Sequence, residues 1–201
     1  MGLTSEQVHW IFGAVMVAGA ALLVLRATGR LQGRWIDFVV PALPFLFGIE
    51  MLVDPLVHGT ALPGNYAREA AQHFALGGLL IAAAAAEAVR IIRAYDSFIW
   101  RVPLAVALLV SAGVFLFHAQ HDADVPMLLL MTQHRVIGAT LAVSALAVLV
   151  ASPNESMGAR RPLAFPLLIL VLGFEFLLYT EGNSLFGSAR PEGSSHMSHG
   201  S

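Results

Sequence analysis

Apolar residues in this chain fall into long runs, and six of them approach the roughly 20 residues that a helix needs to cross a hydrocarbon core. The runs are 8–25, 36–54, 70–93, 102–119, 128–150 and 163–181. This pattern predicts an all-α integral membrane bundle of six transmembrane helices over 1–182. The remaining 183–201 is small and polar, carries His196, Met197 and His199, and reads as a disordered tail outside the core site.

Self-comparison predicts an internal repeat. His9 and Gly13, His73 and Gly77, and His134 and Gly138 share the pattern His-x-x-x-Gly at intervals of 64 and 61 residues, each near the start of an odd-numbered run. The even runs echo one another through Gly48, Gly113 and Gly173, at intervals of 65 and 60. Three helical hairpins of about 60 residues follow from this spacing. Positions i and i+4 share a helix face, so each glycine bares the surface beside its histidine and lets a neighbouring helix or a flat ligand approach.

Composition agrees with a membrane assignment. Hydrophobic residues make up 57% of the 201, charged residues only 12%, and mean hydropathy is +0.74, which excludes an ordinary soluble domain. Without cysteine there are no disulfides, thiolate metal sites or iron–sulfur clusters. The first run lacks a basic leader region and a small-residue cleavage site, so it reads as a retained span.

All eleven basic residues are arginine, and eight of them (Arg26, Arg30, Arg34, Arg90, Arg93, Arg101, Arg160 and Arg161) fall between runs 1 and 2, 3 and 4, or 5 and 6, or at the run ends that border those connections. They read as topology markers rather than a nucleic-acid surface, and the positive-inside rule places them in the cytoplasm. The topology is then N-out and C-out. The bilayer is the first partner, and the cytoplasmic (inner) membrane is the expected location if the chain is bacterial.

Ionisable groups are costly at membrane depth and usually face a bundle interior, so their side carries information. All six histidines before the tail (His9, His58, His73, His118, His121 and His134) belong to the outward side. Glu6, Glu50, Asp54, Glu69, Asp122, Asp124, Glu175 and Glu181 follow them. Glu50 and Glu175 lie about 6 and 9 Å deeper than Asp54 and Glu181 at 1.5 Å per residue, and each needs a partner. His118 and His121 share a face if helix 4 continues that far, as do Met127, Met131 and His134 along helix 5.

Imidazole, thioether and carboxylate together suit copper, because thioethers favour Cu(I) and the other two accept Cu(II); zinc fits three histidines with an open fourth position. The predicted metal ligands are His73, His118, His121, His134, Glu50 and Glu175. His9 and His58 read as hydrogen-bonded helix-end residues. Glu87, three residues before Arg90, reads as an ion pair without further function. Pro41 and Pro44 are expected to bend helix 2.

The stretch Gly113-Val114-Phe115-Leu116-Phe117-His118-Ala119-Gln120-His121, followed by Gln133-His134 and Gly138, resembles the central signature of the eukaryotic transmembrane protein forty-five family. Gln72-His73 and Gly173-Phe174-Glu175 fit the same layout, so the resemblance covers runs 3 to 6. It implies a multi-helix membrane architecture, and no activity. A fainter similarity, in its outward histidines, is to the copper resistance protein D family, and it implies copper.

Three functions compete at this level. One is a binding or transport protein taking copper for storage, delivery or resistance. A cytoplasmic half of mostly alanine, valine and leucine argues against conduction. The second is a b-type haem electron carrier with His73 and His134 as axial ligands. The third is a zinc hydrolase with Glu175 or Glu50 as general base, although no serine nucleophile motif or His-Glu-x-x-His helix supports it. A purely structural polar network predicts no metal at all.

Overall fold

A computed structural model describes residues 4–57, 66–95, 97–117, 127–150 and 163–180. The described residues form six α-helices and no strand: α1 Ser5–Ala27, α2 Val39–Val57, α3 Tyr66–Arg93, α4 Val102–Phe117, α5 Met127–Val150 and α6 Ala164–Leu177. Short 3₁₀ turns at Arg34–Phe38 and Phe98–Arg101 lead into α2 and α4.

Local chemistry sets several boundaries. Thr4 and Gln7 make a reciprocal capping box. The Gln7 amide donates to Thr4 Oγ1 at 3.2 Å, and the Thr4 amide donates to Gln7 Oε1 at 3.0 Å. Gln7 thus belongs to the helix start. Gly29 and Gly33, at φ +75° and +133°, let the chain leave α1 and turn into α2. Pro41 falls in the first turn of α2, where a missing amide costs little. The helix runs on through Pro44 to Val57.

The helices α1 to α5 are long and apolar enough to cross a membrane. The sixth run is shorter than 163–181: α6 spans 14 residues, about 21 Å at 1.5 Å per residue. Side chains such as Phe45, Leu46, Leu109, Val143, Leu146 and Val171 stand exposed on the bundle's outside. That apolar exterior is what a lipid environment requires and water does not tolerate.

Each helix packs against its sequence neighbours, and α6 closes on α1, so the six form a ring. The most extensive packings are α2·α3, α4·α5 and α1·α6, while α1 and α2 touch least. Glycines set these close approaches. A Cβ on Gly77 would meet the Gly48 carbonyl at 2.8 Å, and one on Gly48 would meet the Gly77 carbonyl at 2.9 Å. Gly13 and Gly173 stand in the same reciprocal relation across α1·α6, at 2.8 and 3.1 Å. Across α4·α5, Gly138 faces the Ala112 carbonyl at 3.0 Å, and Gly113 has open space beside it. The small residue at this third crossing is therefore Ala112, one position before the glycine that the spacing singles out.

The interior is filled by Met16, Ala20, Leu108, Ile137, Leu141, Ile169 and Leu172, with Leu76, Leu80 and Ala83 packing on α4 from the α3 side. Toward the end where the odd helices begin, four phenylalanines meet. Phe47 is edge-on to Phe12 (5.4 Å) and to Phe176 (5.9 Å), and Phe115 is edge-on to Phe176 (6.3 Å). This aromatic hub joins α1, α2, α4 and α6 and forms the floor of the region described next.

Candidate functional site

The starts of α1 and α5 and the ends of α4 and α6 converge at one end of the ring, and Tyr179 lies at the centre. Tyr179 follows α6 and is 1% exposed. The His9 ring lies flat on it, with centroids 3.8 Å apart and planes within 9°, and also stacks on Phe176 at 5.3 Å. From α5, His134 meets the same tyrosine at 5.8 Å and Phe115 at 5.4 Å, both tilted by 45°. His134 is buried. Two of the three histidines of the repeated motif thus contact one phenol ring.

Polar contacts fasten this end of the bundle. Trp10 Nε1 donates to the Tyr179 carbonyl at 3.0 Å, and the Thr180 hydroxyl donates to Glu6 Oε1 at 3.0 Å, with Glu6 buried. These bonds tie the first turns of α1 to the residues after α6. Deeper in the bundle, the Thr140 hydroxyl of α5 donates to Glu175 Oε1 of α6 at 2.6 Å. Among the described residues no hydrogen-bond partner meets the buried Glu175 Oε2 or Gln133 Oε1. A carboxylate oxygen left in this way in a protein interior is costly unless a cation, a proton or water meets it.

The predicted ligands divide into two groups. His134 and Glu175 lie on the packed helices α5 and α6. His73 on α3 and Glu50 on α2 are half-buried, each on a helix of the other close pair. His118, His121 and His58 lie outside the described residues, as do the side chains of Asp54 and Met127. Met131 is 40% exposed whereas His134 is 6% exposed, so the two do not share an environment despite their three-residue spacing. Among the described residues no group of three His, Asp or Glu side chains stands close enough to hold a metal ion. His9, near the start of α1, is held by ring stacking on Tyr179 and Phe176. Glu87 is buried and accepts from Arg90 Nε at 2.9 Å and Nη2 at 2.6 Å, which is the predicted ion pair.

Sequence reasoning passed over Tyr179, Trp10, Thr140 and Thr180. The available signal was the Tyr179-Thr180 pair at the end of an apolar run, where an aromatic with a polar handle is common. Thr140 carried no signal, because a threonine inside an apolar helix usually bonds its own backbone.

The Thr140–Glu175 bond bridges two helices, so Thr140→Val should destabilise the purified protein by roughly 1 kcal/mol, the usual scale for such bonds between membrane helices. Thermal unfolding in detergent measures this, and Thr140→Val combined with Glu175→Gln should cost less than the two changes added together. Comparisons with protein-family models, with characterised proteins and with solved structures find no match.

Proposed function

We propose that the protein is an integral membrane protein that binds a transition-metal ion, copper, at the histidine-bearing end of its bundle, for storage or delivery. The observation that carries the reading is the presence, on the packed helices α5 and α6, of a buried imidazole, His134, and of a deeper carboxylate, Glu175, that has one buried oxygen unmet among the described residues. Imidazole nitrogen and carboxylate oxygen are both copper ligands. His73 and Glu50 belong to the proposed set, as do His118 and His121 in the stretch between α4 and α5. Tyr179 lies against the His134 ring, with centroids 5.8 Å apart.

In this reading the histidine-bearing end faces outward and the chain is N-out and C-out, by the arginine distribution. The three-fold repeat is cut as α2–α3, α4–α5 and α6–α1, which matches the close packings. Counting six residues on from the crossing residues Gly48, Ala112 and Gly173 gives Asp54, His118 and Tyr179. The positions equivalent to Tyr179, which meets His9, are thus a carboxylate and an imidazole, and both are metal-ligand types.

A structural polar layer is the second reading, favoured by the flat stacking of His9 on Tyr179 and by the Trp10 and Thr180 bonds. Optical and electron paramagnetic resonance spectra of the full chain with one equivalent of Cu(II) separate the two. Binding predicts a signal with nitrogen hyperfine structure, weakened in His134→Ala and kept in His196→Ala/His199→Ala. An aqueous-copper spectrum in the wild type refutes the proposal, and a Soret band in the purified protein replaces copper with haem.

A further inference from the structure

The opposite end of the bundle carries a second chemistry. Two connections, 28–38 and 94–101, hold Arg30, Arg34 and Arg101, and α3 ends on Arg90 and Arg93. Arg34 Nη2 donates to the Ile91 carbonyl at 3.1 Å, which meets one of the last carbonyls of α3 and brings the first connection across that helix end. Arg34 therefore docks two residues from Arg93.

Charge at this end is unbalanced. In the sequence of these two connections and the helix ends beside them, the six arginines Arg26, Arg30, Arg34, Arg90, Arg93 and Arg101 stand against three carboxylates, Asp37, Glu87 and Asp96, a surplus of three positive charges. Two of the carboxylates are committed: Asp37 pairs with Arg26 at 3.4 Å, and Glu87 with Arg90 at 2.6 Å. Among the described residues Arg30, Arg93 and Arg101 have no acidic partner, and Arg30, Arg34 and Arg93 are exposed. Beside them large apolar side chains are exposed as well: Trp35 at 61%, Ile92 at 61%, Phe98 at 56% and Ile99 at 67%.

We infer that this end binds the phosphate headgroup of an anionic phospholipid, with Arg34 and Arg93 on the phosphate and Trp35, Ile92 and Phe98 against the acyl-chain region. Guanidinium forks match phosphate geometry, and clustered arginines at a helix end recognise anionic headgroups. A free phosphate would use the arginines and leave the adjoining apolar side chains without a role. A lipid uses both, and interfacial aromatics belong at headgroup depth. This inference does not depend on the metal reading.

The test is thermal unfolding of the full chain in a neutral detergent with added dioleoyl phosphatidylglycerol, dioleoyl phosphatidylcholine or inorganic phosphate. Phosphatidylglycerol should raise Tm, and the other two should not. Arg93→Gln should keep the basal Tm, because that side chain is exposed and has no acidic partner among the described residues. It should weaken the apparent affinity for phosphatidylglycerol about fivefold, the effect of one basic residue at an anionic surface. Arg34→Gln/Arg93→Gln should weaken it at least about tenfold. Equal shifts with both lipids, a shift with inorganic phosphate alone, or an undiminished phosphatidylglycerol shift in Arg93→Gln and the double variant would each overturn the inference.

Discussion

Replacing Gly77 by alanine should lower the unfolding temperature of the purified protein by several degrees, while the same change at the adjacent Gly78 should leave it unchanged or raise it. A Cβ at position 77 would lie 2.8 Å from the Gly48 carbonyl and 2.9 Å from Leu52 Cγ, closer than such atoms approach. Backbone cannot yield cheaply, so α2 and α3 must separate, and overpacking of this kind costs about 1–3 kcal/mol. At position 78 a Cβ meets nothing within 4 Å. There only the helix propensity changes, and it favours alanine by up to about 1 kcal/mol. Because both residues sit in one helix and gain one methyl, their difference isolates the crossing. Gly13→Ala and Gly173→Ala should repeat the loss across α1·α6. Equal Tm values for Gly77→Ala and Gly78→Ala would mean that the ring is not packed in this way.

Phe176→Ala should be more damaging still, at about 3–5 kcal/mol, the usual cost of deleting a buried aromatic. Phe176 is 2% exposed and touches Phe47, Phe115 and His9. Removing it takes away the floor under Tyr179 and leaves His9 with one stacking partner instead of two. Phe174, two residues earlier on α6, is 50% exposed on the outside of the bundle. Phe174→Ala is therefore the control and should cost well under half as much in detergent. Scanning calorimetry or fluorescence-detected unfolding reads both, and similar losses would place the hub elsewhere.

Much of the fold was legible because the bilayer imposes it: long apolar runs have almost no alternative to spanning helices. His-x-x-x-Gly also pointed correctly to bare helix surface, since Gly13, Gly77 and Gly138 all sit at close crossings. The partner at each crossing was not legible. A repeat of two helices can be divided in either phase, and periodicity contains no term for which neighbour each helix buries against. The even-helix register shows a related limit. Gly113 matched the spacing, yet Ala112 makes the contact, and one residue on a helix is a rotation of about 100°. Ala112 is small enough for the role, so the pattern of glycines alone could not reveal it.

At the candidate site, the side of the bundle and the need of Glu175 for a partner followed from the cost of ionisable groups at depth. The identity of that partner did not. Thr140 lies 35 positions away, and only the α5·α6 packing brings it to the carboxylate. The separation of Met131 from His134 has a similar cause. Three residues along a helix put two side chains on neighbouring ground, but the edge of the packed face falls between them.

Elemental analysis of the full chain decides whether a metal ion is held at the histidine-bearing end of the bundle, as proposed. Protein purified in detergent after growth with added copper should carry close to one equivalent, kept in His196→Ala/His199→Ala and lost in His73→Ala/His134→Ala provided that variant remains folded. Metal-free wild-type protein that also fails to take up added copper or zinc would rule out the metal site and leave the histidines as packing and hydrogen-bonding groups of the bundle's end.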